Sequence, residues 1–81
     1  MRVEFSEKVQ SKYNILPVAI SKAFRKQVEF LKSNLRHPSL HAKKYDQASD
    51  VWQARINNDW RFYFLIKNDC YIIVDLSKHP K

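Results

Sequence analysis

Hydrophobic residues in the second half of the chain recur at every second position, and this pattern constrains the fold most. Three such runs are rich in β-branched and aromatic residues: Val51 to Ile56, Trp60 to Ile66 and Cys70 to Leu76. A period of two is typical of β-strands with one buried face. Asn57-Asn58-Asp59 and Lys67-Asn68-Asp69 separate the runs, and Asn and Asp are suited to tight turns in a chain without glycine. The pattern predicts two consecutive β-hairpins.

The first half of the chain predicts one short strand and two helices. Val3 and Phe5 alternate with charged residues, as in a half-buried strand. Ser6 is typical of a helix N-cap, and Pro17 suits the first turn of a second helix, which ends at His37-Pro38. The second helix has an apolar stripe: Ile20, Phe24, Val28, Leu31 and Leu35. The order β-α-α-β-β-β predicts an α+β domain with the helices on one face of an antiparallel sheet.

The size and composition of the chain limit its class. We interpret residues 1–81 as a single domain, and the hydrophobic content of 44% excludes a disordered basic tail. The lone Cys70 permits no internal disulfide and is interpreted as a small buried residue. Because Gly-rich phosphate loops need glycine, nucleotide-cofactor enzymes of those types are excluded. No apolar run approaches the length of a membrane span, so we expect a cytoplasmic protein.

Positive charge is concentrated in the first half of the chain. The 15 basic and 8 acidic residues give a net charge of +7. Residues 6 to 44 contain nine basic and two acidic residues and account for a net +7, whereas residues 45 to 81 are neutral. An imbalance of this size favours a nucleic acid or an acidic protein partner over a merely solvated surface.

The hairpin turns set which residues share a face of the sheet. With three residues in each turn, Ile56 faces Trp60 and Ile66 faces Cys70. This register puts the large apolar residues on one face, which we expect to pack against the helices. That face has the following members: Trp52, Ala54, Ile56, Trp60, Phe62, Phe64, Ile66, Ile72, Val74 and Leu76.

The opposite face then brings two arginines together. The same register places Arg55 directly across from Arg61, and Arg61 across from Asp75. Like charges directly opposite each other destabilise a sheet, so two arginines near Tyr63 indicate an anionic ligand such as a phosphate or carboxylate. The alternative is that Arg61 and Asp75 form an ordinary cross-strand salt bridge while Arg55 points into solvent.

Four segments in a fixed order carry a family resemblance: residues 35–41, Lys43-Lys44-Tyr45, Val51 to Asn57 and Trp60 to Phe64. Together they closely resemble the RelE/ParE superfamily of bacterial type II toxin–antitoxin toxins, over nearly the whole chain. The resemblance implies a ribosome-dependent mRNA endonuclease, folded as two helices against a curved antiparallel sheet. It also implies a cognate antitoxin that holds the toxin inactive in a hetero-oligomer.

The resemblance also implies catalytic residues. Such a ribonuclease must deprotonate the 2′-OH, stabilise charge on the phosphate and protonate the leaving 5′ oxygen, and this chemistry requires no metal or cofactor. Arg61 matches the family's aromatic-Arg-hydrophobic strand motif and would stabilise the phosphate, assisted by Arg55. His79 lies near the position where relatives place a His or Arg and would act in proton transfer, with Lys78 as the neighbouring candidate.

Further residues are interpreted as contacts to mRNA and to ribosomal RNA at the A site. The basic ones lie in the second helix, in the long connection from Ser39 to Asp50 and after the last strand, and Tyr63 or Tyr71 could stack a base. The predicted contacts are Lys22, Lys26, Lys43, Lys44, Lys78 and Tyr63. Tyr45 is a further candidate beside Lys43 and Lys44, and a solvated loop is the alternative for these three residues. We interpret His37 as part of a helix stop and His41 as loop surface rather than as metal ligands.

Two departures from the family pattern keep other functions open. Relatives often have a catalytic Tyr beyond the last strand, and no Tyr follows His79 up to Lys81. Many relatives also have a paired His-His where this chain has His79-Pro80. These departures favour the alternatives, which are a toxin of the same fold that inhibits DNA gyrase or a non-catalytic module that binds antitoxin or RNA.

Overall fold

The computed structural model describes residues 1–79, which form two helices and a five-stranded sheet. The elements follow in this order: β1 (Arg2–Phe5), α1 (Glu7–Asn14), α2 (Val18–Ser33), a 3₁₀ turn (Pro38–Leu40), β2 (Lys43–Asp46), β3 (Val51–Arg55), β4 (Trp60–Lys67) and β5 (Cys70–Lys78). The strands are arranged β1-β5-β4-β3-β2. The predicted α+β class, with two helices packed on the sheet, is confirmed.

The sheet is mixed rather than purely antiparallel. Strand β1 runs parallel to β5, with Val3 opposite Tyr71, and every other neighbouring pair is antiparallel. The direction in which an edge strand joins a sheet depends on the helical crossover that follows it. Local alternation of residues does not encode that direction, so the sequence pattern predicted the strand but not its orientation.

Strand β2 forms within the segment from Ser39 to Asp50, which was predicted to be one long connection. Lys43 pairs with Gln53, and Lys44 pairs with Trp52. Most side chains of β2 are exposed. Charged, exposed residues are typical of edge strands, and they show no alternation of apolar and polar residues. The prediction of a loop from Ser39 to Asp50 was therefore wrong for residues 43–46, because an exposed edge strand lacks the alternation by which strands are recognised.

Helix α2 packs on the sheet through the predicted apolar stripe. Phe24, Val28 and Leu31 are buried. The ring of Phe24 meets that of Phe62 in β4 edge to face, with 5.4 Å between the ring centroids. The geometry is one that aromatic pairs prefer, and it fixes α2 over the centre of the sheet.

The helix termini follow the predicted signals in part. Ser6 caps α1, because its side-chain oxygen accepts a hydrogen bond from the main-chain N–H of Val9 at 3.2 Å. Helix α2 ends at Ser33, earlier than the predicted stop at His37-Pro38, since Asn34 has an extended backbone. Neither helix within residues 1–79 is long and apolar enough to cross a membrane.

The β3–β4 hairpin has the predicted three-residue turn. The N–H of Ile56 donates to the carbonyl of Trp60 at 2.9 Å, and Arg55 lies opposite Arg61. The Asn57 side chain accepts hydrogen bonds from two main-chain N–H groups later in the turn, each at 2.9 Å. This Asx turn closes the hairpin without glycine, and residues 57–59 all keep negative φ angles.

The predicted three-residue turn between β4 and β5 is wrong. Lys67 pairs with Cys70, so only Asn68 and Asp69 form the turn, with φ angles of 51° and 59°. Two consecutive left-handed residues define a type I′ turn, whose twist matches that of a hairpin. The run from Tyr71 to Val74 is apolar at every position, so the hydrophobic pattern does not determine the register there.

The shorter turn exchanges the faces of β5 near its start. Tyr71 and Ile73 are buried in the core, whereas Ile72 and Val74, which were predicted to be core residues, are half-buried. A bulge with Val74 as the extra residue then restores the predicted orientation, and Leu76 lies in the core.

The two-residue turn and the bulge at Val74 together give Arg61 a different neighbour on β5 from the predicted one. Arg61 pairs with Ser77, and Asp75 pairs instead with Tyr63. The predicted placement of Asp75 across from Arg61 is therefore wrong. The predicted Arg55–Arg61 pair does not depend on β5 and is confirmed.

The remaining predicted core residues are mostly buried. Trp52 and Trp60 are partly buried against the core, whereas Ile66 is exposed near the end of β4. Cys70 is buried, as predicted, and its thiol donates to a carboxylate oxygen of Glu4 at 3.1 Å. Burial, together with the nearby carboxylate, raises the pKa of the Cys70 thiol and keeps it protonated.

Candidate active site

The two arginines lie on the face of the sheet opposite α2, which we term the open face. Because Phe62 points toward α2, its strand neighbours Arg61 and Tyr63 project from the open face. Arg61 lies between Arg55 on β3 and Ser77 on β5. Residues directly opposite on antiparallel strands have Cβ atoms about 5 Å apart. The open face thus has two arginines at directly opposite positions.

Arg61 is held in place by the turn that precedes it. Its side chain is largely buried, and Nη1 donates to the main-chain carbonyl oxygens of Asn57 at 2.7 Å, Asn58 at 3.2 Å and Trp60 at 3.0 Å. Within residues 1–79, Nε and Nη2 make no hydrogen bond and are not completely buried, although Arg61 as a whole is only 7% exposed. The Nε and Nη2 edge is one that binds two oxygens of a phosphate together.

Arg55 is positioned through its main chain. Its carbonyl oxygen accepts a hydrogen bond of 2.8 Å from Nε2 of Gln27, a buried side chain of α2. The Oε1 atom of Gln27 accepts in turn from the Ser39 hydroxyl at 2.8 Å. A satisfied polar network of this kind fixes the end of β3 against α2. The Arg55 side chain is half-buried on the open face.

His79 and Lys78 reach the same end of the sheet. Lys78 is opposite Trp60, and the main-chain N–H of His79 donates to the carbonyl of Asp59 at 2.6 Å. The end of β5 is therefore attached to the turn whose carbonyls bind Arg61. The side chains of Lys78 and His79 are exposed. Pro80 and the rest of the chain to Lys81 lie outside the described residues.

Asp75 forms ion pairs with α1 instead of with Arg61. The ammonium group of Lys12 lies 2.7 Å from Oδ1 of Asp75, and that of Lys8 lies 3.2 Å from Oδ2. Neither Arg55 nor Arg61 takes part in an ion pair within residues 1–79. The predicted alternative of an Arg61–Asp75 salt bridge is therefore wrong, and both arginines retain their charge for a ligand.

The contacts from α1 also control the ionisation of Asp75. Burial opposes the charged form, but hydrogen bonds from Lys12, Lys8 and the main-chain N–H of Leu76 outweigh it and lower the pKa of the carboxyl. Asp75 is therefore ionised at neutral pH. The side chains of Lys8, Lys12 and Asp75 together carry a net charge of +1.

Comparisons with known proteins agree with this topology. No family model and no curated protein matches the sequence. A YoeB/ParE toxin from Agrobacterium tumefaciens superposes with a TM-score of 0.83 at 10% identity, covering 99% of this chain and 100% of that one. The archaeal RelE–RelB complex from Pyrococcus horikoshii OT3 superposes with a TM-score of 0.76 at 21% identity, covering 95% of this chain and 92% of that one. The intact E. coli RelBE toxin–antitoxin complex superposes with a TM-score of 0.75 at 10% identity, covering 99% of this chain and 98% of that one.

The chain has the RelE/ParE toxin fold. This confirms the resemblance inferred from the ordered sequence segments and accounts for nearly the whole chain. At these identities the likeness concerns the fold, so the roles of individual residues of this RelE/ParE-like chain stay predictions.

The RelE/ParE fold brings some of the predicted RNA-contacting residues to the open face and separates others. Tyr63 lies two residues from Arg61 on the same face of β4. Lys78 is near the β3–β4 turn, but its partner Trp60 packs against the core, so Lys78 is on the α2 side of the sheet. Lys22 and Lys26 belong to α2, which packs on the opposite face of the sheet. These two lysines therefore belong to the other side of the sheet from the arginine pair.

The two lysines of β2 have different surroundings. Lys43 is exposed on the edge strand. Lys44 lies 2.6 Å from a carboxylate oxygen of Asp50 and 5.4 Å from the centroid of a Trp52 ring. Lys44 thus has an anionic and an aromatic partner, whereas Lys43 is the more accessible of the two. Within residues 1–79, no group of three His, Cys, Asp or Glu side chains could hold a metal ion.

Reasoning from the sequence did not place two residues of the open face beside the arginines. Tyr45 was interpreted, with Lys43 and Lys44, as an RNA contact or part of a solvated loop, and β2 brings its ring to within 5.0 Å of the Tyr63 ring, centroid to centroid. Lys8 was counted only as part of the basic first half, but it reaches Asp75 on the open face. The spacing of Lys8 and Lys12, four residues apart on α1, was the available signal that both lie on one side of that helix.

Proposed function

We propose that this chain is the toxin of a type II toxin–antitoxin system and that it cleaves mRNA on the ribosome, in the cytoplasm. One observation supports the proposal: Arg55 and Arg61 are opposite each other on the open face, and the main chain of His79 is hydrogen-bonded to the turn that joins their strands. Two arginines that form no ion pair within residues 1–79, with an exposed imidazole at the same end of the sheet, suit a reaction at a phosphodiester.

The reaction can be assigned to these side chains step by step. The 2′-hydroxyl of a ribose gives its proton to a solvent water molecule. Its oxygen bonds to the adjacent phosphorus, and the bond from phosphorus to the 5′ oxygen breaks. The Nε and Nη2 edge of Arg61 binds the phosphate oxygens as their charge increases, and Arg55 adds a second positive charge. His79 transfers the proton that the leaving 5′ oxygen requires. The products are a 2′,3′-cyclic phosphate and a 5′-hydroxyl.

The proposed partner is an antitoxin with an acidic amphipathic helix. An apolar groove of about 560 Å³ runs between β1, α1 and α2, and the residues lining it include Phe5, Tyr13 and Phe24. Arg25 and Glu29 are also among the lining residues. The surrounding segment, residues 6 to 44, has a net charge of +7. An apolar helix face flanked by acidic residues complements both the groove and its charge.

Cleavage is tested by mapping 5′ ends of mRNA after controlled expression of the wild-type chain, Arg61→Ala and Lys67→Ala. Lys67→Ala removes the same charge at the far end of β4. We expect new 5′ ends inside codons with the wild type and Lys67→Ala, and none with Arg61→Ala. Growth arrest with intact transcripts and inhibited supercoiling would contradict this proposal and assign the chain to gyrase inhibition. Intact transcripts without growth arrest would identify a non-catalytic module.

A further inference from the structure

A second cavity, of about 490 Å³, opens on the open face between α1 and β2. Its walls include Lys8 from α1, Tyr45 from β2, Tyr63 from β4 and Ser77 from β5. Ser77 is directly opposite Arg61, so the cavity adjoins the arginine pair. Tyr63 follows Arg61 by two residues, which places the two side chains about 7 Å apart along the strand.

The wall formed by β2 and β4 is aromatic and accessible. Tyr45 has 62% of its surface exposed, although it is a large ring on an otherwise charged edge strand. It meets Tyr63 edge to face, with an interplanar angle of 62°. In an edge-to-face pair, one ring offers only its edge, so its faces stay uncovered by the partner. An uncovered ring face next to a cavity can stack a planar ligand.

The opposite wall is cationic. Lys8 is 61% exposed in its side chain and contacts Asp75, whose charge is also neutralised by Lys12. The wall with the aromatic rings also includes the Asp46 carboxylate, which balances the charge of the cavity as a whole. The excess positive charge is therefore local to the opposite wall, at Lys8. A nucleotide has the complementary parts, since its base is planar and its phosphate is anionic.

We propose that this cavity binds the nucleotide adjacent to the scissile phosphate, with the base stacked on Tyr45 and Tyr63 and its phosphate directed toward Lys8. The inference rests on the proposed function, because it assumes that single-stranded mRNA lies across Arg55 and Arg61. Stacking is tolerant of base identity, so this subsite anchors the strand rather than selecting a sequence.

The test is a direct binding measurement on the full chain, without ribosomes. A short single-stranded RNA contains the fluorescent base 2-aminopurine at one position, and the position is moved along the strand. Stacking on a tyrosine quenches this base, so we expect quenching to be strongest at one position. Tyr45→Ala removes that quenching and raises the Kd about 5- to 100-fold, whereas Tyr45→Phe retains both.

The contribution of Lys8 to the cavity is tested by the salt dependence of the affinity for the same single-stranded RNA. We expect Lys8→Gln to reduce the slope of log K against log salt concentration by about one, and Lys67→Gln, a control at the far end of β4, to leave it unchanged. Quenching and affinity that are the same in Tyr45→Ala as in the wild type would overturn the subsite. If transcripts stay intact in cells while Tyr45-dependent quenching persists, the cleavage proposal fails and the base subsite stands.

Discussion

The Nη1 atom of Arg61 lies 2.7 Å from the main-chain carbonyl oxygen of Asn57, so one nitrogen of a candidate catalytic side chain also stabilises the turn that positions it. The remaining edge of the guanidinium, Nε and Nη2, is the part available to a phosphate. Arg55, directly opposite, has no such contact from its side chain to the turn within residues 1–79. The two arginines should therefore respond differently to truncation.

We expect Arg61→Ala to lower both activity and stability. Loss of the hydrogen bonds from a charged donor to the turn should reduce the free energy of unfolding by about 1 to 3 kcal/mol, and cleavage should fall at least about 100-fold. Arg55→Ala should reduce cleavage while the free energy of unfolding changes by less than about 0.5 kcal/mol. Urea unfolding followed by tryptophan fluorescence measures the difference. Equal losses of stability in the two variants would contradict the dual role of Arg61.

His79→Ala should separate proton transfer from folding. Its imidazole is exposed, and the contact that attaches it to the β3–β4 turn is made by its main-chain N–H, which the substitution retains. We expect cleavage to fall by about 10²- to 10⁴-fold, as for loss of a general acid or base, with unchanged unfolding. Lys78→Ala is the control for the neighbouring residue. A larger loss of cleavage in Lys78→Ala than in His79→Ala would transfer the role to Lys78.

Asp75→Asn should make the chain less stable at neutral pH. Hydrogen bonds from Lys12 and Lys8 lower the pKa of this carboxyl in the folded state. The stabilisation is present above the unfolded pKa of about 4 and is lost as the pH falls through the folded value. We expect a loss of about 1 to 2 kcal/mol at pH 7 and unfolding free energies that converge with the wild type in acid. Asp50→Asn, which breaks an exposed ion pair with Lys44, should change stability by less than about 0.5 kcal/mol.

The register of β3 and β4 could be predicted because both strands alternate apolar and polar residues. A three-residue turn is the one that puts Trp52 and Phe62 on the same face, and the Arg55–Arg61 pair followed directly. No comparable constraint exists in β5, where Tyr71 to Val74 are all apolar. The sequence therefore could not show that a two-residue turn and a bulge would remove Asp75 from Arg61.

Other parts of the site depend on contacts between distant segments. The ion pairs of Asp75 join residues more than sixty positions apart, and Tyr45 reaches Tyr63 only because a short edge strand pairs with β3. Neither contact could be predicted from the residues around it, since an isolated lysine or an exposed edge strand has the same composition as a surface loop. Sequence patterns predicted the arginine pair, whose strands alternate strongly, and did not predict that Tyr45 and Lys8 would lie on the same face.

The β4–β5 turn offers a test of the revised register. Asp69 has a left-handed backbone, with φ of 59°, at a position where glycine carries no steric penalty. Asp69→Gly creates Asn-Gly, the preferred pair for a type I′ turn, and should raise the free energy of unfolding by about 0.5 to 1 kcal/mol. Asp59→Gly, in the three-residue turn without positive φ angles, should instead lower it, because glycine increases the entropy of the unfolded chain. A loss of stability in Asp69→Gly would contradict the two-residue turn.

The proposed antitoxin groove makes a separate prediction about affinity. Arg25 lies on the rim of the groove between β1, α1 and α2, whereas Arg36 follows α2 and does not line it. Arg25→Glu and Arg36→Glu change the net charge of the chain equally, so any difference between them reports local contacts rather than long-range attraction. We expect Arg25→Glu to weaken binding of the protein encoded by the adjacent reading frame about 10-fold or more, and Arg36→Glu to weaken it less than about 3-fold. Isothermal titration calorimetry measures both, and equal effects would place the partner's acidic residues elsewhere.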